Sequence, residues 1–266
     1  MNLPPNLCYT VALDHPGQEA HRLMARLLVT SLLRTNWHGR IAVFRNTPKP
    51  VLPKRHPQVA EILIQTGKGS GWKEMIQWKS RVRDLLDLAG VGKVLFLDCD
   101  CVALRDINHL MRGTWDIYTT PEPGSIVEFP FNGLLTAHEM IALKNAPGIN
   151  SGTIGISATR FVEVMAEWER INMRPKLRPS KSGDQHGWNR LMLDTQLRHR
   201  HFAPAEIQFP FLHRAVYTDY RRAAIVHAAG RSTEQKLSLL YGLWMETFGF
   251  DCFDKLVVPY RAGGRA

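Results

Sequence analysis

The segment 93–98, KVLFLD, constrains the fold of this chain more than any other stretch. It has four consecutive apolar residues and then ends in an acid. A strand that faces water on one side alternates polar and apolar residues, whereas a strand covered on both faces is apolar throughout. Gly90 and Gly92 close a preceding stretch of helical spacing, so this strand directly follows a helix. The segment therefore predicts a central strand of a parallel sheet with helices on both faces.

The first half of the chain supports an α/β fold because strand-like and helix-like segments alternate there. In a doubly wound sheet of this kind, ligands bind beyond the carboxyl ends of the strands, where Asp98 lies. The patterns predict strands at 8–13 and 41–44 and helices from Ala20 to near Gly39 and at 72–89, while 56–65 fits either type.

The second half is less regular. A long loop is predicted from 121 to Asn150, because this stretch is rich in Pro, Gly and mixed polar residues. The tail 261–266, RAGGRA, is expected to be frayed. The remaining patterns predict strands at 115–120, 150–157 and 223–230, helices at 160–168 (capped by Ser157 or Thr159) and 233–249, and a short helix near Asp184.

Length and composition indicate one globular domain. The chain has 266 residues, of which 44% are apolar and 22% charged, and we see neither an internal repeat nor a flexible linker. No stretch approaches the roughly 18 apolar residues of a transmembrane helix, and the N-terminal segment lacks the pattern of a signal peptide. We therefore expect a cytoplasmic protein. Its four cysteines are too few for a disulfide scaffold, so most are expected to be buried reduced thiols.

The net charge of +10 predicts an attraction to anions such as nucleotides, anionic lipids or phosphorylated glycans. Basic clusters occur at 174–182, 198–201 and 221–222. Their commonest meaning is a solvated face, but they also allow a peripheral contact with an anionic membrane surface. No signature of specific nucleic-acid binding accompanies them.

Asp98 and Asp100 form the clearest chemical feature. On an extended chain, alternate side chains share a face, so these two carboxylates are predicted to point the same way while Cys99 and Cys101 point the other. Two neighbouring carboxylates persist with a cation, a shared proton or free access to water. A bound divalent metal is the sharpest of these options.

An ordered set of motifs surrounds this pair. An apolar strand ending in Asp-X-Asp is followed by Asn-Ser-Gly at 150–152, Asp-Gln at 184–185 and His-X-X-Gly at 227–230. This set resembles the GT-A glycosyltransferases, most of all the family (glycosyltransferase family 8) that contains glycogenin and the bacterial galactosyltransferases of lipopolysaccharide synthesis. The resemblance spans residues 8 to 230.

The resemblance implies a GT-A (Rossmann-like) fold with a mostly parallel sheet flanked by helices. It also implies transfer of a sugar, with retention of configuration, from a nucleotide-sugar to a glycan, lipid-linked or protein acceptor. We favour a UDP-sugar, with a GDP-sugar as the alternative. The single domain would comprise a nucleotide-binding half (1–105), a half for the donor sugar and acceptor (106–230), and a C-terminal helix and tail (231–266).

Site residues carry over from the motifs one by one. Asp98, Asp100 and His227 would hold Mn²⁺ or Mg²⁺ against the diphosphate. Asp184 and Gln185 would lie beside the reacting sugar carbon, with Asp184 as the candidate nucleophile. The residues expected to contact the donor are Ala12, Leu13, Asp14, Lys79, Asp98, Asn150, Ser151, Gly152 and Gly230.

The chemistry explains why these residue types are needed. A nucleoside diphosphate gains negative charge as it leaves, so a cation held against its oxygens stabilises the transition state more than the ground state. Carboxylates suit hard ions such as Mg²⁺ or Mn²⁺, and one imidazole shifts the preference towards Mn²⁺.

The chain departs from the family pattern after His-X-X-Gly. Relatives follow this motif with Lys-Pro-Trp, which contacts the diphosphate, whereas this chain has RSTEQK at 231–236. Arg231 or Lys236 could supply that positive charge, although neither is in the family register.

Each site assignment also has a simpler structural alternative. These alternatives are a turn residue for Asp14, a solvated helix face for Lys79, a plain turn for 150–152, a helix cap for Asp184 and a core histidine for His227.

Two other function classes compete with glycosyl transfer. FLDCDCV also fits a haloacid-dehalogenase-type phosphatase, with Asp98 as nucleophile and Asp100 as acid/base. That family opens its domain with this strand and needs a later acidic pair, which GDQHGWN (183–189) does not provide. A non-catalytic protein that binds nucleotides or glycans on the same fold is the second alternative.

Overall fold

The computed structural model describes residues 5–15, 17–67, 72–128, 132–173, 183–203, 205–212 and 220–249. Within these ranges the predicted mixture of strands and helices is present. The strands are β1 (Leu7–Ala12), β2 (Arg40–Arg45), β3 (Val59–Leu63), β4 (Lys93–Leu97), β5 (Cys101–Ala103), β6 (Ile117–Ser125), β7 (Pro147–Ser157), β8 (His199–His201), β9 (Ile207–Gln208) and β10 (Ile225–His227).

The helices lie between these strands. Short 3-10 turns occur at Val82–Asp84, Asn108–Met111, Asn132–Leu134 and Tyr220–Arg222. The α-helices are α1 (Ala20–Arg34), α2 (Trp72–Arg81), α3 (Ala137–Ala142), α4 (Ala158–Asn172), α5 (Gly183–Asp194) and α6 (Thr233–Phe248).

The main sheet has seven strands in the order β3-β2-β1-β4-β7-β6-β8. The pairs β3–β2, β2–β1, β1–β4 and β6–β8 are parallel, whereas β7 runs antiparallel to both β4 and β6. A second sheet has the order β5-β10-β9. The predicted α/β fold with a mostly parallel central sheet is therefore confirmed, and β4 lies in its middle.

Strand β4 is apolar throughout because its two faces enter two different cores. Val94 and Phe96 belong to the hydrophobic cluster that includes Trp168 of α4 and Trp188 of α5. Leu95 and Leu97 belong to the other cluster, which includes buried residues of α1 and α6. All four side chains are at most 1% exposed. The feature that predicted a doubly covered strand therefore has the expected physical cause.

The loop predicted from 121 to Asn150 is wrong in part. Strand β6 continues through Pro121 and Glu122 to Ser125, and β7 already begins at Pro147. These segments pair with each other, with register shifts after Thr119 and after Glu122. Proline and glycine favour a loop locally, but the bulged pairing with β7 overrides that preference. Helix α3 also lies inside the predicted loop, capped by Thr136 and Glu139.

Other boundaries differ by a few residues. Helix α1 ends at Arg34, α2 gives way to a 3-10 turn at Val82–Asp84, and the late strand shrinks to Ile225–His227. The ambiguous stretch 56–65 contains strand β3. Ser157 occupies the N-cap position of α4 but makes no capping hydrogen bond with its side chain.

Several sequence features lie outside the described residues, namely the whole basic cluster 174–182, Cys252 and the tail 261–266. The other three cysteines, Cys8, Cys99 and Cys101, are buried free thiols, as expected. Among the described helices, none combines the length and apolar character needed to cross a membrane.

Candidate active site

The acidic pair lies in a turn that begins where β4 ends. Backbone hydrogen bonds hold this turn in place: the Asp98 N–H donates to the Gly152 carbonyl at 2.7 Å, and the Ala228 N–H donates to the Asp100 carbonyl at 2.9 Å. Cys101 also donates to the Asp98 carbonyl at 3.1 Å. The turn is therefore fixed by β7 on one side and by the segment after β10 on the other.

The imidazole of His227 lies against both carboxylates. Its Nε2 atom is 3.1 Å from Asp100 Oδ1 and 3.8 Å from Asp98 Oδ2. Pairing between β10 and β5 brings His227 opposite Cys101, directly after the acidic turn. Asp98 and Asp100 therefore both lie against His227, and a turn rather than the predicted continuous strand places them there.

The prediction that the thiols of Cys99 and Cys101 point away from the carboxylates is wrong for Cys101. Because the chain turns between Asp98 and Asp100, strand alternation does not extend through this segment. The Cys101 sulfur, Asp100 and His227 instead have ligand atoms that all lie within 4.8 Å of one another. The thiol is fully buried, and burial raises its pKa well above the usual value. A sulfur atom is a soft ligand and suits a hard cation such as Mg²⁺ less well than a carboxylate does.

Two lysines compensate the carboxylates. Lys79 of α2 places its Nζ atom 2.9 Å from Asp98 Oδ1 and 2.8 Å from Asp184 Oδ2. Lys236 of α6 places its Nζ atom 2.7 Å from Asp100 Oδ2. Lys79 therefore points into the site rather than lying on a solvated helix face.

Burial and these ion pairs shift the pKa values in different directions. Burial alone would lower the pKa of Lys79, but the carboxylates of Asp184 and Asp98 outweigh it and raise that pKa. Burial raises the pKa of Asp98, against the opposing effect of Lys79. Burial also disfavours ionised Asp100, but Lys236 and His227 hold its pKa well below the usual value. Asp100 is therefore the more firmly ionised of the pair.

The Asn-Ser-Gly motif lies in the middle of β7, not in a turn. A side chain at Gly152 would overlap both Asp98 and His227, so glycine allows the acidic turn and the histidine to touch the β7 backbone. The Asn150 side-chain oxygen accepts from the Gly152 N–H at 2.7 Å. The motif therefore supports the acidic turn directly.

Asp184 and Gln185 lie in the first turn of α5 and face this cluster. The Ser151 hydroxyl donates to Asp184 Oδ2 at 3.1 Å, and Lys79 contacts the same oxygen. The Gln185 amide donates to Glu122 Oε1 at 3.3 Å. Among the described residues, the Asp184 carboxylate therefore contacts two residues of the site, Ser151 and Lys79.

Glu122 is a site residue that the sequence did not indicate, whereas Lys236 was named there as one of two possible sources of positive charge for the diphosphate. Glu122 on β6 accepts from both Asn150 and Gln185 and is 7% exposed. Burial raises its pKa, while the hydrogen bond from Asn150 acts in the opposite direction. Its surroundings, TTPEPGS, look like a loop in the sequence, so no local signal indicated that it would be buried beside Asn150.

The remaining predicted residues lie apart from this network. Ala12 and Leu13 are buried in the two hydrophobic clusters at the end of β1. The Asp14 carboxylate accepts from the His21 and Arg22 N–H groups at 2.8 and 3.2 Å, at the start of α1. Gly230 has a φ of +87°, and a side chain there would overlap Leu212. Among the described residues, none of these four forms a hydrogen bond or an ion pair with the acidic pair.

Asp100 and His227 offer donor atoms that suit a divalent cation, and Asp98 lies next to the same imidazole. Bonds of about 2.1 Å place neighbouring donor atoms of an octahedral ion roughly 3 Å apart. The 3.1 Å separation of His227 Nε2 from Asp100 Oδ1 matches this value. Asp98 Oδ2 is 3.8 Å from the same nitrogen, and Asp98 lies outside the group of ligand atoms within 4.8 Å of one another, which belongs to Asp100, Cys101 and His227. Lys236 occupies the outer oxygen of Asp100 and leaves Oδ1 facing the imidazole. Carboxylate and imidazole donors together suit Mn²⁺ or Mg²⁺.

Comparison with known proteins gives a result at the level of fold. No family model matches the chain, and no curated protein matches it. A solved glycosyltransferase involved in the glycosylation of the major capsid of PBCV-1 superposes with a TM-score of 0.60 at 10% identity, covering 90% of this chain and 100% of that one. The apo structure of the bifunctional glycosyltransferase WbbM gives a TM-score of 0.60 at 14% identity. This match covers 92% of the present chain and half of the WbbM chain.

These neighbours establish that the chain has a glycosyltransferase fold. They therefore confirm the predicted fold class. Membership of the glycogenin-type family is not established by them and stays a prediction.

Proposed function

We propose that this protein is a metal-dependent glycosyltransferase that moves a sugar from a nucleotide-sugar to an acceptor. The observation that carries the proposal is the convergence of Asp98, Asp100 and His227 at the carboxyl end of β4, on a glycosyltransferase fold. Ligands of open α/β sheets bind at this end. We favour a UDP-sugar as the donor, with a GDP-sugar as the alternative.

Mn²⁺ or Mg²⁺ would be held by Asp98, Asp100 and His227. When bound, such an ion supplies a Lewis acid for the oxygens of the departing diphosphate. The chain needs this positive charge, because the site is acidic without it. Asp98, Asp100 and Asp184 carry three negative charges when ionised, and Lys79 and Lys236 compensate two of them. A diphosphate would be repelled by such a cluster unless a cation joined it.

Lys236 is our candidate for the group that contacts the diphosphate. Its ammonium group lies 2.7 Å from Asp100 Oδ2. The Lys236 side chain is 22% exposed. An ammonium group on a flexible stem can turn from that oxygen towards a phosphate. Arg231, the other candidate, lies over the Phe211 ring at 5.6 Å. We therefore assign to Lys236 the charge that relatives take from Lys-Pro-Trp.

The groups on the β7 side would hold the donor sugar. Asn150, Glu122 and the half-buried Gln185 form a hydrogen-bonded set. Carboxylate and amide groups of this kind bind sugar hydroxyls. Asp184 lies between this set and Lys79. We propose that its carboxylate stabilises the positive charge that develops at the reacting sugar carbon. Retention of configuration, with Asp184 as the candidate nucleophile, belongs to the same proposal.

The test is release of free nucleotide from a panel of UDP- and GDP-sugars, with Mn²⁺, with Mg²⁺ and with a chelator. Asp100→Asn should lower metal-stimulated turnover by at least about 100-fold, because the loss of one ligand weakens a charge contribution of several kcal/mol. Asp87→Asn, at an exposed acid paired with Arg40, is the matched control and should retain activity.

Three outcomes would contradict the proposal. Full activity of Asp100→Asn would remove the acidic pair from the reaction. Hydrolysis of phosphomonoesters without release of nucleotide would favour the phosphatase. Tight binding of nucleotide without turnover of any donor would favour the non-catalytic binding protein.

A further inference from the structure

A pair of cations meets at the far end of the sheet from the candidate active site. Lys93, the first residue of β4, donates from its ammonium group to the Gly113 carbonyl. Arg200 of β8 approaches the same glycine, and its Nη1 atom is 3.6 Å from the position that a Cβ of Gly113 would occupy. Gly113 and Arg200 are exposed and Lys93 is half-buried, so the pair lies at the surface.

Two buried aromatic rings hold these cations in place. The Lys93 Nζ atom lies 4.0 Å from the centroid of Trp115, and the Arg200 guanidinium carbon lies 4.9 Å from that of Tyr118. The two rings are 5.3 Å apart and are at most 3% exposed. A guanidinium stacked on a ring keeps its N–H edge available. The pair is therefore ordered before any ligand arrives.

In the described part of the chain, no carboxylate pairs with Lys93 or Arg200. The nearby carboxylate of Asp116 is bound by Arg198 at 3.0 Å. Burial and then the positive charge of Arg200 lower the pKa of Lys93 to about 8. Two like charges fixed side by side without a counter-charge raise the energy of the free protein, and an anion between them would relieve it.

We propose that Lys93 and Arg200 form a binding site for a phosphate group, supplied either as free inorganic phosphate or as the headgroup of an anionic lipid. A planar guanidinium fork beside an ammonium group matches the oxygens of a tetrahedral phosphate. The site is separate from the acidic turn, because five residue-to-residue steps of about 3.3 Å each separate Lys93 from Asp98 along the chain. It does not depend on the proposed glycosyl transfer.

The experiment measures the melting temperature of the intact chain in inorganic phosphate against sodium chloride of equal ionic strength. The wild type should show a saturable rise in phosphate. Lys93→Met, which keeps an apolar stem over Trp115, and Arg200→Gln should each weaken the apparent phosphate affinity at least about tenfold, since each removes a charged hydrogen-bond donor. Lys144→Gln, at an exposed lysine, should behave like the wild type.

Both variants have an internal check of folding. Without phosphate a cooperative melting transition shows that each variant folds, and the phosphate response of each variant is measured from its own phosphate-free melting temperature. If Arg200→Gln does not fold, Arg200→Lys replaces it and should give an intermediate affinity. An equal rise in melting temperature with phosphate in the wild type and in all variants would contradict the proposed phosphate site.

A second arm identifies the source of the phosphate. Sedimentation is compared with vesicles of phosphatidylcholine alone and of phosphatidylcholine mixed with phosphatidic acid. Binding to the acidic vesicles that Lys93→Met abolishes would assign the site to a lipid headgroup. A phosphate response that depends on Lys93, without vesicle binding, would assign it to soluble phosphate.

Discussion

At the scale of single residues, Lys79 determines the charge balance of the site. Its ammonium group lies within 2.9 Å of carboxylate oxygens from both Asp98 and Asp184, which come from different parts of the chain. Its side chain is 17% exposed, so water screens these charges only in part. Without Lys79 the two carboxylates would repel each other in a partly buried setting.

Lys79→Met is expected to destabilise the fold by about 3 kcal/mol, because removing one partner of a buried ion pair leaves the other uncompensated. Urea denaturation measures this loss. The double variant Lys79→Met/Asp184→Asn should recover part of it, since one of the two unpaired charges is then also absent. A double variant no more stable than Lys79→Met would contradict this account.

Gly152→Ala should abolish turnover and weaken metal binding. The new methyl group would overlap Asp98 and the ring of His227, so the two groups that meet at the β7 backbone would have to separate. Binding of Mn²⁺ measured by calorimetry and nucleotide release report the two effects.

Gly242→Ala in α6 is the matched control for this change. A methyl group there meets no atom within 4 Å, so the variant should keep activity and gain up to about 1 kcal/mol of stability. Normal Mn²⁺ affinity in Gly152→Ala would show that the close approach at this glycine is not required.

At the scale of elements, α5 serves two parts of the structure. Its first turn carries Asp184 and Gln185 into the site. The following residue, His186, accepts from the Gly133 N–H at 3.0 Å. One turn later, Arg190 places a guanidinium nitrogen 2.6 Å from Glu139 of α3. The segment from Gly133 to α3 is therefore held by the same helix that carries the candidate catalytic groups.

The contacts of Glu139 should appear in the pH dependence of stability. Hydrogen bonds from Thr136 and the ion pair with Arg190 lower the pKa of Glu139 from 4.5 to about 2. A depressed carboxyl pKa stabilises the fold above pH 4.5, and this stabilisation is lost as the pH falls towards 2.

The advantage of the wild type over Glu139→Gln in urea denaturation should therefore shrink over that range. Glutamine keeps the capping geometry of α3 and removes only the charge. An advantage that stays constant from pH 4.5 downward would show that the charge of Glu139 does not contribute.

At the scale of the whole molecule, the site forms only when distant elements meet. The end of β4, the middle of β7, and β10 supply the acidic turn, its glycine support and the histidine. Helices α2, α5 and α6 add Lys79, Asp184 and Lys236. Two hydrophobic clusters on opposite faces of the sheet hold these elements in place.

Ligands of a site made in this way should stabilise the whole fold. We expect Mn²⁺ and UDP together to raise the melting temperature well above the effect of either alone. A ligand at 100 times its Kd raises the free energy of unfolding by about 2.7 kcal/mol when it binds only the folded state. Asp100→Asn should lose the joint effect. An equal rise with UDP in the presence of a chelator would contradict a metal-bridged donor site.

Much of this arrangement can be read from the sequence because it is encoded locally. Four consecutive apolar residues predict β4 as a strand covered on both faces, and the structure confirms it. The spacing of apolar residues likewise predicts α4 and α6 within a few residues. The motif at 150–152 and His227 also lie next to the acidic turn, whereas Gly230 lies apart from it.

Other features depend on contacts between distant segments, which no local pattern records. Lys236 reaches Asp100 across 136 positions of the chain. Glu122 is buried only because β6 continues past Pro121 to pair with β7. The direction of the Cys101 thiol follows from a turn at 98–100 that strand alternation does not predict. The sequence alone determined which strand is central and which acids end it, since apolar periodicity is a local property. The tertiary structure decided which cations meet those acids, because ion pairing depends on how distant segments pack.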